Sequence, residues 1–215
     1  MQESNNSEQD FWARQEQIYK SAYISIALLV VNVVVFGLSN TVMGWMYEKG
    51  AMITEIVLQN GEYYRLFTAM FLHADVGHLM NNMLMLVLVG AIVENYTGHA
   101  FFFFLYMLSG LFGNMISMAY EINNELRWVS VGASGALMGL VGVIVIWIIK
   151  NWNSFVHSRS TKLRLVLLAL FIVQALLFQR GANIAAHFGG FVTGVVLGVI
   201  NIVVLKNDKK MEGLA

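Results

Sequence analysis

Four polar side chains stand near the heads of apolar segments. They are His78 and Asn82 in the run His78-Leu-Met-Asn81-Asn82, Ser134 in Gly132-Ala-Ser134-Gly135, and His187 in Ala185-Ala-His187-Phe-Gly189-Gly190. Inside a bilayer a polar group is costly, and it marks function by default. A serine hydroxyl with an imidazole in reach, about 2.6–3.2 Å, can act as nucleophile and base in acyl transfer. Ser134 lies between glycines at a loop-to-helix junction, where the backbone can bend and the free N–H groups of the helix favour a developing negative charge. The structural alternative is a hydroxyl bonded back to its own helix, as Ser109 and Ser117 could be. For His187 it is an imidazole satisfied by a carbonyl. His78 and Asn82, four residues apart, share one helical face. Both can donate to an oxyanion, or they can form an interhelical clamp worth about 0.6 kcal/mol per bond.

Other chemistries fit less well. Glu94 is the only acid expected inside a span, but it lies sixteen residues beyond His78, about 24 Å deeper at 1.5 Å per residue. Lys150 is equally far from Ser134. Asp75 and Glu121 read as outer-loop groups, so the expectation is a Ser–His dyad without a third member. Three histidines on one side (His73, His78, His187) invite zinc, but no H-E-x-x-H is present. His73 reads as a loop anchor. An aspartic mechanism needs paired intramembrane Asp residues, and Asp10, Asp75 and Asp208 all fall in loops or tails. No Cys is present, so thiolate metal sites and disulfides are excluded, and no metal or cofactor is expected.

The elements that must position these groups are membrane helices. The chain has 215 residues, 58% hydrophobic and 12% charged, about half the charge of a soluble domain. Its mean hydropathy is +0.64. A net charge of zero gives no field to draw nucleic acid, so none is expected as a partner. Six stretches have the roughly 20 apolar residues that a span needs, near Ser21–Ser39, His78–Tyr96, Phe101–Tyr120, Ala133–Ile149, Leu163–Phe178 and Ile184–Leu205. They lack the alternation of barrel strands and predict an all-α polytopic membrane protein. Residues 1–20 and 206–215 read as polar tails around one membrane domain, 21–205, with the first apolar run retained as a span rather than cleaved as a signal.

With six spans both termini share a side, which would carry nine Lys and Arg against four on the other. The positive-inside rule then puts both termini in the cytoplasm. Spans two, four and six run inward from the outer side, so their first turns, which carry the polar clusters, share one depth. Ala186, Gly190, Gly194 and Gly198 form one smooth face, and Gly135, Gly139 and Gly142 another; such faces let helices approach closely. Packing alone would explain the stripes but not the Ser and His beside them. The long loop Asn40–Gly77, with apolar Met52–Leu58 and Tyr63-Tyr64-Arg65, is expected to lie in the membrane interface. With no Pro, any kink must come from Gly or from 3₁₀ and π turns.

Together these residues resemble the rhomboid family of intramembrane serine proteases, from Tyr63-Tyr64-Arg65 to Gly198, in order and topology. The resemblance rests on His78-x-x-x-Asn82, Gly132-Ala-Ser134-Gly135 and Ala186-His187-Phe-Gly189-Gly190. It implies a six-helix rhomboid-like bundle with an interfacial first loop, Ser134 as nucleophile and His187 as base. It also implies an oxyanion hole of His78, Asn82 and the Ser134 backbone N–H. Arg65 matches the family's aromatic-Arg motif and Glu94 its structural acid. Substrates would be single-span membrane proteins, met in the lipid bilayer of a bacterial plasma membrane, with the site opening outward. One departure is Met138, where the family usually carries Tyr or Phe one turn after the nucleophile. The competing expectation is a catalytically silent rhomboid-like protein that binds membrane clients; such relatives lack the Ser or the His, and this chain has both.

Overall fold

The structure, a computed structural model, describes residues 12–153, 162, 165–166, 169–170, 173, 182–209 and 211. In lipid, each backbone N–H and C=O must be paired within its own segment, so the long apolar runs become helices. After a short helix at 12–20 the chain forms α1 (Tyr23–Asn40), α2 (Trp45–Gly50), β1 (Met52–Ile53), α3 (Thr54–Asn60) and α4 (Arg65–Thr68). Then come α5 (Val76–Thr97), α6 (His99–Asn123), β2 (Val129–Ser130), α7 (Ser134–Lys150) and α8 (Ile184–Val204). Among the described residues α1, α5, α6 and α8 are long and apolar enough to cross a membrane, and α7, at 17 residues, is slightly shorter. Five of the expected spans thus appear as helices. The fifth in order, Leu163–Phe178, lies largely outside the described residues.

Irregular turns occur without proline: α5 contains a π turn at Leu86–Gly90, and α8 ends in one at Ile200–Val204. One residue, Gly98, joins α5 to α6 with φ +85, a backbone state that glycine adopts without penalty. Near the far end of α5, Glu94 is fully buried and caps the start of α1. It accepts from the backbone N–H of Ile24 (2.9 Å) and Ser25 (2.8 Å) and from the Ser25 hydroxyl (2.7 Å), and His99 Nδ1 lies 2.6 Å away. A buried carboxylate needs such partners.

The helix α8 packs against both α7 and α6. A Cβ on Gly190 would run into the Gly135 carbonyl, and one on Gly194 into that of Gly139. A Cβ on Gly142 would meet the Phe191 carbonyl at 2.5 Å. The two stripes read in the sequence therefore face each other. On its other flank α8 meets α6, where a Cβ on Gly113 would stand 2.7 Å from the Ala186 carbonyl. That second contact was not expected.

The first loop is folded. Buried Arg65 donates to the carbonyls of Glu48 and Ala51, both at 2.8 Å, and through Nε to Glu62 at 2.7 Å. Strand β1 pairs antiparallel with β2, Met52 opposite Ser130. Asn114 of α6 donates to the Leu66 carbonyl at 2.8 Å. One expectation is corrected here. Glu121 is not an outer-loop group, because α6 continues to Asn123 and buries it (1% exposed), with Thr54 and Ser117 donating to its carboxylate. Glu94 is therefore not the only acid within a span.

Candidate active site

Ser134 is the first residue of α7, and the turn that delivers it depends on Gly132, whose φ is +121. Few residues other than glycine hold that conformation. The Gly132 N–H donates to the Ala69 carbonyl at 2.9 Å, which ties this turn to the first loop. His187 lies in the first turn of α8, 5% exposed, and its Nε2 stands 2.8 Å from Ser134 Oγ. Interlocked glycines one residue after Ser134 and three after His187 set this approach. Among the described residues no carboxylate is hydrogen-bonded to His187.

His78 and Asn82 project from the first two turns of α5. The Asp75 carboxylate starts this helix by accepting the His78 backbone N–H at 2.8 Å, which fits a helix N-cap. His78 Nε2 and Asn82 Nδ2 are buried, and neither has a hydrogen-bond partner among the described residues. Buried donors are nearly always paired, so two side by side need a reason. Both gather over Gly132: a Cβ there would lie 2.5 Å from His78 Nε2 and 3.5 Å from Asn82 Nδ2. They thus converge two residues before Ser134, where they can serve an oxygen that becomes negative during reaction. Among the described residues no interhelical hydrogen bond of the clamp kind joins these two atoms to a partner.

His73, the expected loop anchor, is fully buried with its ring edge-on to His78, centroids 5.0 Å apart. Burial first, and His78 second, push its imidazole down to about 3, so it stays neutral near pH 7. Beside Ser134 an open cavity of about 680 Å³ is bordered by Asp75, His78, Asn81, Trp128 and Asn183.

Sequence reasoning missed Asn183. Its side-chain oxygen caps α8 by accepting the Ala186 N–H at 3.0 Å, and its Nδ2 donates to Ser117 Oγ (2.6 Å) and Ser130 Oγ (2.8 Å). A capping residue directly before an apolar run was a legible signal. The partners, more than fifty residues away in sequence, were not.

Fold and site together define a helical membrane protein with a serine–histidine pair at the heads of two interlocked helices. Residues 60–203 match the Rhomboid domain, and the chain belongs to the rhomboid family. It is 36% identical over 153 residues to RHOMBOID-like protein 5 of Arabidopsis thaliana (71% of this chain, 48% of that protein). It is 33% identical over 141 residues to the putative rhomboid protease YdcA of Bacillus subtilis (66% and 68%). With the rhomboid protease AarA of Providencia stuartii it shares 32% over 174 residues (72% and 61%). The chain spans about two fifths to half the length of the Arabidopsis relatives it matches, 39% of RHOMBOID-like protein 1 for instance.

Proposed function

We propose that the chain is an intramembrane serine endopeptidase that cleaves single-span membrane proteins with a Ser134–His187 dyad. The observation that carries this reading is the 2.8 Å approach of His187 Nε2 to Ser134 Oγ. In the mechanism, His187 takes the Ser134 proton as Oγ attacks the scissile carbonyl. The developing oxyanion accepts from His78 Nε2–H, Asn82 Nδ2–H and the Ser134 backbone N–H. His187 then hands the proton to the leaving amine, and water entering through the open cavity hydrolyses the acyl ester with His187 again as base. One oxyanion donor is worth about 10²–10³ in turnover. A substrate helix must unwind first, because a helical peptide bond is shielded.

The same reading gives six spans in a bacterial plasma membrane, both termini cytoplasmic and the site opening outward. Its support is the charge asymmetry of the loops. Reporter fusions at Asn207 and within Met52–Leu58 test that orientation, and an outward-facing Asn207 contradicts it. A fluorophosphonate probe on detergent-solubilised protein tests the chemistry. Labelling at Ser134 that is lost in His187→Ala is expected. No labelling under any condition favours a client-binding protein instead.

A further inference from the structure

The cap of α8 uses more of Asn183 than capping requires. Capping needs one side-chain oxygen, which Ser, Thr or Asp would also supply. Here both amide hydrogens are engaged as well, one to Ser117 on α6 and one to Ser130 on β2. Ser117 Oγ in turn donates to Glu121 Oε1 (3.2 Å), whose other oxygen accepts from the Thr54 hydroxyl at 2.9 Å. Ser117, Ser130, Glu121 and Thr54 are all buried. The Asn183 carbonyl closes the helical turn that carries the base, accepting the His187 N–H at 3.0 Å. A connected run of hydrogen bonds therefore extends from the start of α3, through the last turns of α6, to the turn that holds His187.

We propose that Asn183 is a positioning residue for His187, and that Ser117, Ser130, Glu121 and Thr54 form the relay holding it in place. This role rests on the protease reading and deepens it. Hydrogen bonds in a buried, satisfied network reinforce one another and fix one arrangement. The glycine contacts between α8 and its neighbours set how close the helices come. The amide of Asn183 adds what glycines lack, a directional tie that fixes the rotation of the first turn of α8. Because Ser130 also pairs in β2 opposite Met52, the tie sets His187 relative to the folded first loop as well as to α6.

Asn183→Ser separates the two jobs, since it retains a capping oxygen but has no amide hydrogens. The experiment compares it with Asn183→Ala, Ser117→Ala and the Asn183→Ser/Ser117→Ala pair in the reconstituted protein. Readouts are kcat and KM on a single-span substrate, Tm, fluorophosphonate labelling, and hydrogen exchange over residues 184–188. Misplacing a catalytic group by about 1 Å can cost up to roughly 10²-fold. Both Asn183 variants should therefore lose at least about tenfold in kcat with KM changed less than about twofold. Asn183→Ser should regain most of the Tm lost in Asn183→Ala, exchange should rise in both, and the pair should be no worse than Asn183→Ser alone. Wild-type turnover in Asn183→Ser, with the wild type labelled at Ser134, overturns this role and leaves the protease reading intact. A wild type that never labels at Ser134 overturns the protease reading and this role with it.

Discussion

The turn before Ser134 is the most sensitive point of the proposed site, and Gly132→Ala probes it with a single methyl group. The backbone there has φ +121, and a non-glycine residue held in such a sparsely populated region costs about 1–3 kcal/mol. The new Cβ would also lie 2.5 Å from His78 Nε2 and 2.6 Å from Cε1. The ring must swing away, and with it goes one donor of the proposed oxyanion hole. Losing one such donor lowers turnover by about 10²–10³. The combined expectation is a loss of about 1–3 kcal/mol in stability with that larger loss in kcat, and little change in KM, because the donor acts on the transition state. Turnover of a reconstituted single-span substrate, measured beside Tm in detergent, reads both quantities. Unchanged turnover in a variant that folds would refute the assignment of His78 as an oxyanion donor.

Two further perturbations test the α7–α8 contact and the folded first loop. Gly190→Ala forces a methyl against the Gly135 backbone, which cannot rotate aside as a side chain would. Overpacking of this kind costs about 1–3 kcal/mol. It should part α7 from α8, so Tm and fluorophosphonate labelling of Ser134 should fall together; a fall in Tm alone would show that helix spacing does not set the Ser134–His187 approach. In the first loop, the Arg65 hydrogen bond, followed by those from Asn60 and Tyr64, holds the Glu62 carboxyl below its ordinary 4.5. A depressed carboxylate stabilises the fold above its unfolded value and loses that contribution as pH falls through the folded one. Unfolding followed between pH 6 and pH 3 should therefore show wild-type stability falling below about pH 4.5 more steeply than that of Glu62→Gln; parallel curves would contradict the ion pair.

The site was more legible than the scaffold around it. Ser134, His187, His78 and Asn82 could be read because polar residues at the heads of apolar helices are conspicuous and a shared span direction gives them one depth. The small-residue stripes of α7 and α8 were equally plain, since spacings of three and four survive in the sequence alone. The contact of Gly113 with α8 was missed, because Ser109, Gly113 and Ser117 recur every fourth residue in α6 but only one of the three is a glycine, so no run of glycines drew attention to that face. Glu121 was misplaced by a boundary error of three residues, as α6 continues past Tyr120 through polar residues that a hydropathy reading excludes. Asn183 was passed over although it directly precedes an apolar run, because its partners on α6 and β2 lie more than fifty residues away in sequence. The first loop hid its order in pieces of two to seven residues, too short for any period to emerge.

Under the proposed mechanism Ser134 and His187 act as one unit. The decisive measurement is the turnover of a reconstituted single-span substrate by Ser134→Ala, His187→Ala and the double variant. Residues that act together are not additive, so each single variant should abolish cleavage and the double should be no worse than either. All three should keep the fold, since none adds a charge or removes a packing glycine. Near-normal cleavage by a folded Ser134→Ala protein would contradict Ser134 as the nucleophile.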